Sequence, residues 1–411
     1  MRDQILTIGH FLRANARWLC GGVLLTFFSS VGQTFFIGTF AGQIRAEFDL
    51  SHGGFGFIYM LATLASAVTL VGIGRVLDQA RVVTVASMVI VMLAGAALTM
   101  AWAQALPALL LAIYLLRLFG QGMMTHTSMV AMGRWFVAER GRAVSIATTG
   151  HQLGEGLLPL LIVGLLAYAH WRTVWLIAAL VLVLVALPVC IWCLRVPREP
   201  TKKDRDNFES GRQWTRSEVL RDAPFWAVCT GVMAPAFIGT SVFFHQVHLS
   251  ALKDWPSAVI ASSFAVMSVS SVCVGLLTGQ LIDRHSARVL LPFFLFPLGI
   301  GCIVLSYAQH PMTMSIFMCL LGCSYGVSSS VFGAIWPEIY GTRHLGAVRS
   351  MVSAAMVFAS ALGPGLTGWL IDRQLGFELQ LLVMSAYCFI TMLVLFPVSR
   401  LLKIRLQLPA S

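Results

Sequence analysis

Apolar runs dominate this chain so heavily that its polar positions act as punctuation. Apolar stretches of about 20 residues recur from residue 18 onward, the length a helix rising about 1.5 Å per residue needs to cross a bilayer core. The runs predict twelve helices, over 18–43, 53–77, 82–103, 107–133, 138–167, 171–194, 224–250, 256–282, 288–308, 311–337, 346–371 and 376–401. Only one polar segment is long, 195–221, with Pro197, Pro200 and the run Lys202, Lys203, Asp204, Arg205 and Asp206. It separates six helices from six. The expected organisation is a bundle at 1–194, a solvated cytoplasmic linker at 195–223, a second bundle at 224–401 and a cytoplasmic tail at 402–411.

Composition excludes a soluble domain: 58% of residues are hydrophobic and 11% charged, against roughly a quarter charged in soluble proteins. The segments on the side of both termini carry 23 Lys and Arg, the opposite loops 4, and Arg117 lies inside a helix. By the positive-inside rule both termini are cytoplasmic, and the net charge of +11 is topogenic rather than a sign of nucleic-acid binding. The first apolar run is too long for a cleaved signal and is kept as the first helix. Neither Asn15 nor Asn207 sits in a glycosylation acceptor, which fits a bacterial inner membrane. Cys190 and Cys193 form a lone C-x-x-C without a second pair or a His cluster, so no metal site is expected. With no nucleophile constellation or phosphate loop, no enzyme activity and no cofactor are expected either.

Two landmarks repeat at one offset. Gly74 and Asp78 end the second helix, and Gly279, Asp283 and Arg284 end the eighth, with 205 positions between the glycines. The same offset carries Gly141 to Gly346 and Pro159 to Pro364, so the two halves repeat. A finer echo pairs Gly279-Gln280-Leu281-Ile282-Asp283-Arg284 with Gly368-Trp369-Leu370-Ile371-Asp372-Arg373, at the opposite end of the eleventh helix. Similar segments of opposite polarity within one half are what inverted three-helix repeats leave behind.

On these residues the chain resembles the major facilitator superfamily. That family's loop after helix two, G-x-L-x-D-R-x-G-R-K, is matched at Gly74 and Asp78 but departs at Gln79, Arg81 and Val82. The second copy keeps Gly279, Leu281, Asp283 and Arg284. The family's fourth-helix pattern R-x-x-Q-G-x-G is shifted here to Arg117-Leu118-Phe119-Gly120-Gln121-Gly122. The resemblance implies an all-α integral membrane fold of twelve transmembrane helices in two pseudo-symmetric six-helix bundles, with a site between them. Gly74, Asp78, Arg81, Gly279, Asp283 and Arg284 then form a gating set: a glycine allows close approach, and an aspartate can face a helix amino end.

The candidate chemistry lies in two pairs, Arg117 with Gln121 in the fourth helix and His151 with Glu155 in the fifth. Members four apart share a face, and the two helices are antiparallel neighbours in sequence. Arg117 is therefore expected to meet Glu155, and Gln121 to meet His151. Such a ladder serves either as a structural clamp or as a working site. The repeat favours work, because Arg117, His151 and Glu155 map to Gly322, Met356 and Ser360, all uncharged. Arg117 and Gln121 are expected to bind an anionic group of a small solute, while Glu155, helped by His151, carries a proton. Gln33, Tyr325 and His245 are further candidates for the cavity wall. His248 reads as interfacial, and the serines near Ser270 and Ser328 as packing residues.

The function expected is a proton-coupled secondary transporter of a small carboxylate, working as a monomer in the lipid bilayer of the cell membrane. The phrase from Phe243 to Leu249 resembles monocarboxylate and oxalate/formate-type members. Two alternatives stand beside it. One is a proton-coupled exporter of neutral or cationic compounds: drug-exporting members of the family carry G-x-x-x-G-P in the fifth helix, which Gly150 and Gly154 resemble, but Glu155 stands where the proline would be. The other is a transporter-like solute sensor, for which the sequence offers little output surface.

Overall fold

The computed structural model describes residues 2–73, 80–136, 140–196, 198, 214–341 and 344–407, with side chains given for these except at 2–10, 140, 283, 406 and 407. Their regular elements are all helical. Eleven helices are long and apolar enough to cross a membrane: Phe11–Thr39, His52–Ile73, Val82–Trp102, Leu106–Trp135, Trp171–Leu194, Ala223–Phe244, Ser257–Ile282, Ala287–Ser306, Met312–Tyr340, Leu345–Asp372 and Phe377–Arg405. Arg140–Leu166 takes the fifth place and completes twelve; its 27 residues span the distance, but Arg142, His151, Gln152 and Glu155 dilute its apolar character.

Five of the expected helices depart from a continuous α-helix: the sixth carries a π-stretch over Leu182–Ala186 and the ninth a 3-10 turn over Leu291–Phe293, and the other three are the first, fourth and seventh. The first runs from Arg2 to Phe28, tightens into a 3-10 turn over Ser29–Gly32, breaks at an extended Gln33 and resumes over Thr34–Thr39. A short helix, Ala41–Phe48, follows. The fourth widens into a π-helix over Leu116–Met124, the stretch that holds Arg117 and Gln121. The seventh stops at Phe244, and a separate helix, Gln246–Lys253, follows His245.

The chain forms two compact units, Met1–Ile37 with Ala65–Phe208, and Gly38–Leu64 with Glu209–Ser411. In the first unit the first span packs on the fifth and the third on the sixth, while Thr69 of the second span is 2.9 Å from the Tyr114 hydroxyl of the fourth. In the second unit the seventh packs on the eleventh, the ninth on the twelfth and the eighth on the tenth. These are the same partners six helices on, the pseudo-symmetry that the 205-residue offset predicts.

Lipid offers no hydrophobic drive between helices, so small residues and interhelical hydrogen bonds hold such bundles. Gly150 and Gly154 of the fifth span lie against the backbone of the first at Val23 and Phe27, and Thr26 Oγ1 donates to the Ala147 carbonyl. Gly322 and Gly326 bring the tenth span onto the eighth, where Ser270 donates to Cys319 O at 3.1 Å and Ser330 to Gly275 O at 2.9 Å. The serines are packing residues, as expected. Val68, Val71, Val269, Leu276 and Val383 are exposed and give the units an apolar exterior.

One end of the second unit is tied by a buried carboxylate. Asp222, just before the seventh span, accepts from both Arg405 guanidinium nitrogens at 2.8 and 2.9 Å and from the Tyr340 hydroxyl at 2.8 Å. The guanidinium also stacks over Trp214, 5.1 Å from the ring centre.

Candidate functional site

The break in the first span creates the need that Arg117 meets. A helix interrupted at membrane depth frees carbonyls that hydrocarbon cannot hydrate. Arg117 is 1% exposed, and its Nη1 donates to the Gly32 carbonyl at 3.1 Å and to Thr34 Oγ1 at 3.4 Å. The two helices come this close because neither has a side chain at the crossing. A Cβ on Gly32 would lie 2.7 Å from Gly120 Cα, and one on Gly120 would lie 2.6 Å from Gly32 Cα. The wide π-turn takes one residue more than an α-turn, which fits the fourth-helix motif being shifted by one position. Such bulges frequently mark functional sites. Gln33 at the break and Gln121 in the π-helix are both half-buried.

The predicted ladder is not what forms. Glu155 is 7% exposed, and among the described residues no cation faces it. His151 is half-buried, its ring 6.2 Å from that of Phe35 rather than on Gln121. The reason is which helix the fifth span packs on. Gly150 and Gly154 seat it against the first span, so the face carrying His151 and Glu155 follows that contact, while the Arg117 guanidinium turns to the broken backbone. Both pairs lie in the first unit, near the same interrupted helix.

Tyr325 and His245 lie in the second unit. The Tyr325 hydroxyl donates to Pro235 O at 3.3 Å and occupies the space a side chain on Gly239 would need. His245 is buried, with Nε2 3.1 Å from the Pro364 carbonyl. Of the gating set, Gly74 and Asp78 and the Asp283 side chain lie outside what is described; Arg81 and Arg284 are exposed, and Gly279 faces open space.

At the other end of the second unit from Asp222 is a cluster of which the sequence singled out only His245 and His248. Arg45, His52, Phe55, Phe244, His245 and His248 line one small cavity. The His52 and His248 rings are 4.2 Å apart and the His52 and His245 rings 5.9 Å. His248, half-buried and beyond the end of the seventh span, is thus part of a packed group. Burial and the adjacent Arg45 hold its imidazole below the ordinary value, against the opposing pull of Glu378. Burial likewise lowers Arg45, opposed by Asp372. Asp372, noted in sequence only as part of an echo, accepts from the backbone N–H groups of His52 and Gly53. For the second-span side of the cluster the available signal was Ser51-His52-Gly53-Gly54, a helix-capping serine with two glycines in the first turn.

Twelve spanning helices in two matching sixes, with an interrupted first helix beside a buried arginine, define a polytopic helical membrane protein built from repeats. The chain belongs to the Major Facilitator Superfamily, whose family model matches residues 22–295 and 247–406. It is 26% identical to monocarboxylate transporter 13 of Bos taurus over 70% of this chain and 66% of that protein. It is 25% identical to an uncharacterized protein of Mycobacterium tuberculosis over 58% of each. The matches therefore span under two thirds of these relatives' own lengths. Among solved structures it is similar in fold to a bacterial homologue of the human lysosomal transporter Spinster, with a TM-score of 0.71, 15% identity and coverage of 97% of this chain and 99% of that one. The nucleoside transporter NupG gives a TM-score of 0.68 at 12% identity, covering 93% and 99%.

Proposed function

We propose that this protein is a secondary carrier that moves a small carboxylate across a cell membrane by alternating access, with Arg117 as the anion site and Glu155 as the proton carrier. The observation that carries this reading is the Arg117 guanidinium, buried in a π-wound stretch and pointed at an interrupted helix. A buried cation is costly, and repeat-built transporters use broken helices to line their sites. The likeness to a monocarboxylate transporter adds support. Glu155, 7% exposed on the neighbouring fifth span and without a facing cation among the described residues, takes a proton as solute enters or leaves. The bundles at 1–194 and 224–401 rock around this region, while Asp78, Arg81, Asp283 and Arg284 hold the cytoplasmic side in one of the two states. The protein is a monomer with cytoplasmic termini in a bacterial inner membrane, uses no cofactor and is not an enzyme.

Ligand binding raises the apparent stability of the folded state by mass action, by about 2.7 kcal/mol at 100 times Kd. Small carboxylates should therefore raise the melting temperature of the purified protein, and Arg117→Ala, if still folded, should lose that rise. Carboxylate shifts that survive in Arg117→Ala would reduce the arginine to a clip on the broken helix. Shifts confined to amines would favour the second reading, a carrier of cations recognised by Glu155, which the absence of a cation facing that carboxylate among the described residues supports. In proteoliposomes, Glu155→Gln should retain solute exchange and lose its pH dependence. Retained pH-driven uptake would sink the proton role.

A further inference from the structure

In the second unit, at the end remote from Asp222, the second and eleventh spans close on each other through backbone rather than side-chain bulk. Gly53 and Gly56 on one helix face Gly365 and Gly368 on the other. A Cβ on Gly53 would lie 2.6 Å from Asp372 Oδ2, and one on Gly368 would lie 2.5 Å from the His52 carbonyl. Paired small residues are how helices reach this distance in lipid. At the top of the seam the second span begins, and its first N–H groups have no acceptor within their own helix. Ser51 Oγ accepts from Gly54 N at 2.9 Å. Asp372 supplies the rest, Oδ2 accepting from Gly53 N at 2.8 Å and Oδ1 from His52 N at 3.2 Å. A carboxylate is favoured there by the positive end of the helix, and such charge-assisted bonds are roughly twice as strong as neutral ones.

The group beside this contact is ionisable. His52 begins the second span, His248 lies on Gln246–Lys253, His245 closes the seventh span, and Arg45 comes from Ala41–Phe48. Two carboxylates face them: Asp372 itself, and Glu378 of the twelfth span, which is held by Lys253 at 2.9 Å. The His52 and His248 rings touch, with centres 4.2 Å apart.

We propose that this contact is a gate latch, in which Asp372 bolts the amino end of the second span to the eleventh, and a proton taken up by the His52–His248 pair releases the bolt. Two neutral imidazoles can pack edge to face beside Arg45. A proton on either one adds a cation next to a guanidinium and a positive helix end, and it competes with the His52 and Gly53 amides for Asp372. Glu378 does not cancel this, because Lys253 already holds it. The direction follows: the closed contact keeps neutral histidines, in line with the low position of His248, so acidification below the usual histidine value of about 6.5 favours opening. The Gly368–Arg373 echo acquires a role as the counterpart, at this end, of the gating set proposed for the other. The latch's place in a transport cycle rests on the carrier reading, but its opening does not depend on any solute.

Hydrogen–deuterium exchange of the full chain in lipid nanodiscs, without solute and corrected for the intrinsic pH effect, tests it. Peptides over 50–57 should exchange at least tenfold faster in Asp372→Ala than in the wild type at pH 7.5, with Asp372→Asn, which keeps one acceptor, in between. Peptides of the third span, Val82–Trp102, should not change. Taking the wild type to pH 5.5 should produce the same local rise, and the double variant His52→Gln, His248→Gln should abolish it. Unchanged exchange over 50–57 in Asp372→Ala overturns the latch, as does a rise shared by the third span, which marks loss of fold. An acid response that persists in the histidine variant overturns the trigger. A latch that opens as expected in a protein that no carboxylate or amine stabilises would leave the latch standing and remove the carrier reading.

Discussion

Asp222→Ala should cost roughly 3 kcal/mol of stability, at the low end of what breaking a buried ion pair costs. The carboxylate serves three donors at once, and its removal leaves the Arg405 guanidinium and the Tyr340 hydroxyl facing each other across an apolar gap. The low end applies because the Arg405 side chain keeps 30% of its exposure and can turn toward solvent. Tyr340→Phe removes one neutral donor and should cost about 1 kcal/mol. The measurement is thermal unfolding of Asp222→Ala, Arg405→Ala and the double variant. If the pair is coupled, the double variant loses clearly less than the two singles together. Additive losses would mean that Arg405 contributes through its stacking on Trp214 and not through Asp222.

Gly32→Ala should damage the proposed site through geometry alone. The added methyl meets backbone on every side, with Gly120 Cα at 2.7 Å, Gln121 N at 3.0 Å and the Leu116 carbonyl closer still. None of these is the flexible end of a side chain, so the first and fourth spans must move apart. Overpacking of this kind costs about 1 to 3 kcal/mol. It also draws the Gly32 carbonyl away from Arg117, so the carboxylate-induced rise in melting temperature should fall with the stability. Gly95→Ala in the third span is the control: its Cβ would meet nothing within 4 Å, and alanine is the better helix former. That variant should be as stable as the wild type or slightly more so, with full ligand response. A Gly32→Ala protein that keeps both stability and response would show that the close crossing does not position Arg117.

The Arg117 and Glu155 positions show where reading residues along the chain stops. Their burial and their four-residue spacing to Gln121 and His151 are visible in the sequence, because a charge inside an apolar run has nowhere else to be. Their pairing was inferred from two helices being consecutive. It fails because the partner of a membrane helix is chosen by small residues at the crossing. Gly150 and Gly154 select the first span, and Gly32 and Gly120 bring that same span to the fourth. The break at Gln33 left only a weak trace, the short polar stretch Ser29, Ser30, Gly32, Gln33 and Thr34 inside an otherwise apolar run, and the freed carbonyl is satisfied by a side chain 85 positions away. Asp372 was visible as one letter of an echo, but its bond to the His52 and Gly53 amides joins residues 320 and 319 positions apart, so no local pattern could announce it.

The sequence by itself determined the membrane setting, the twelve spans and the internal repeat, because hydrocarbon demands long apolar helices and a duplicated chain keeps its spacing. The tertiary structure alone decided which helix is broken, that Arg117 answers a carbonyl rather than Glu155, and that Asp372 caps the second span. Those contacts depend on how closely two backbones approach, and that distance is set jointly by residues far apart in the chain.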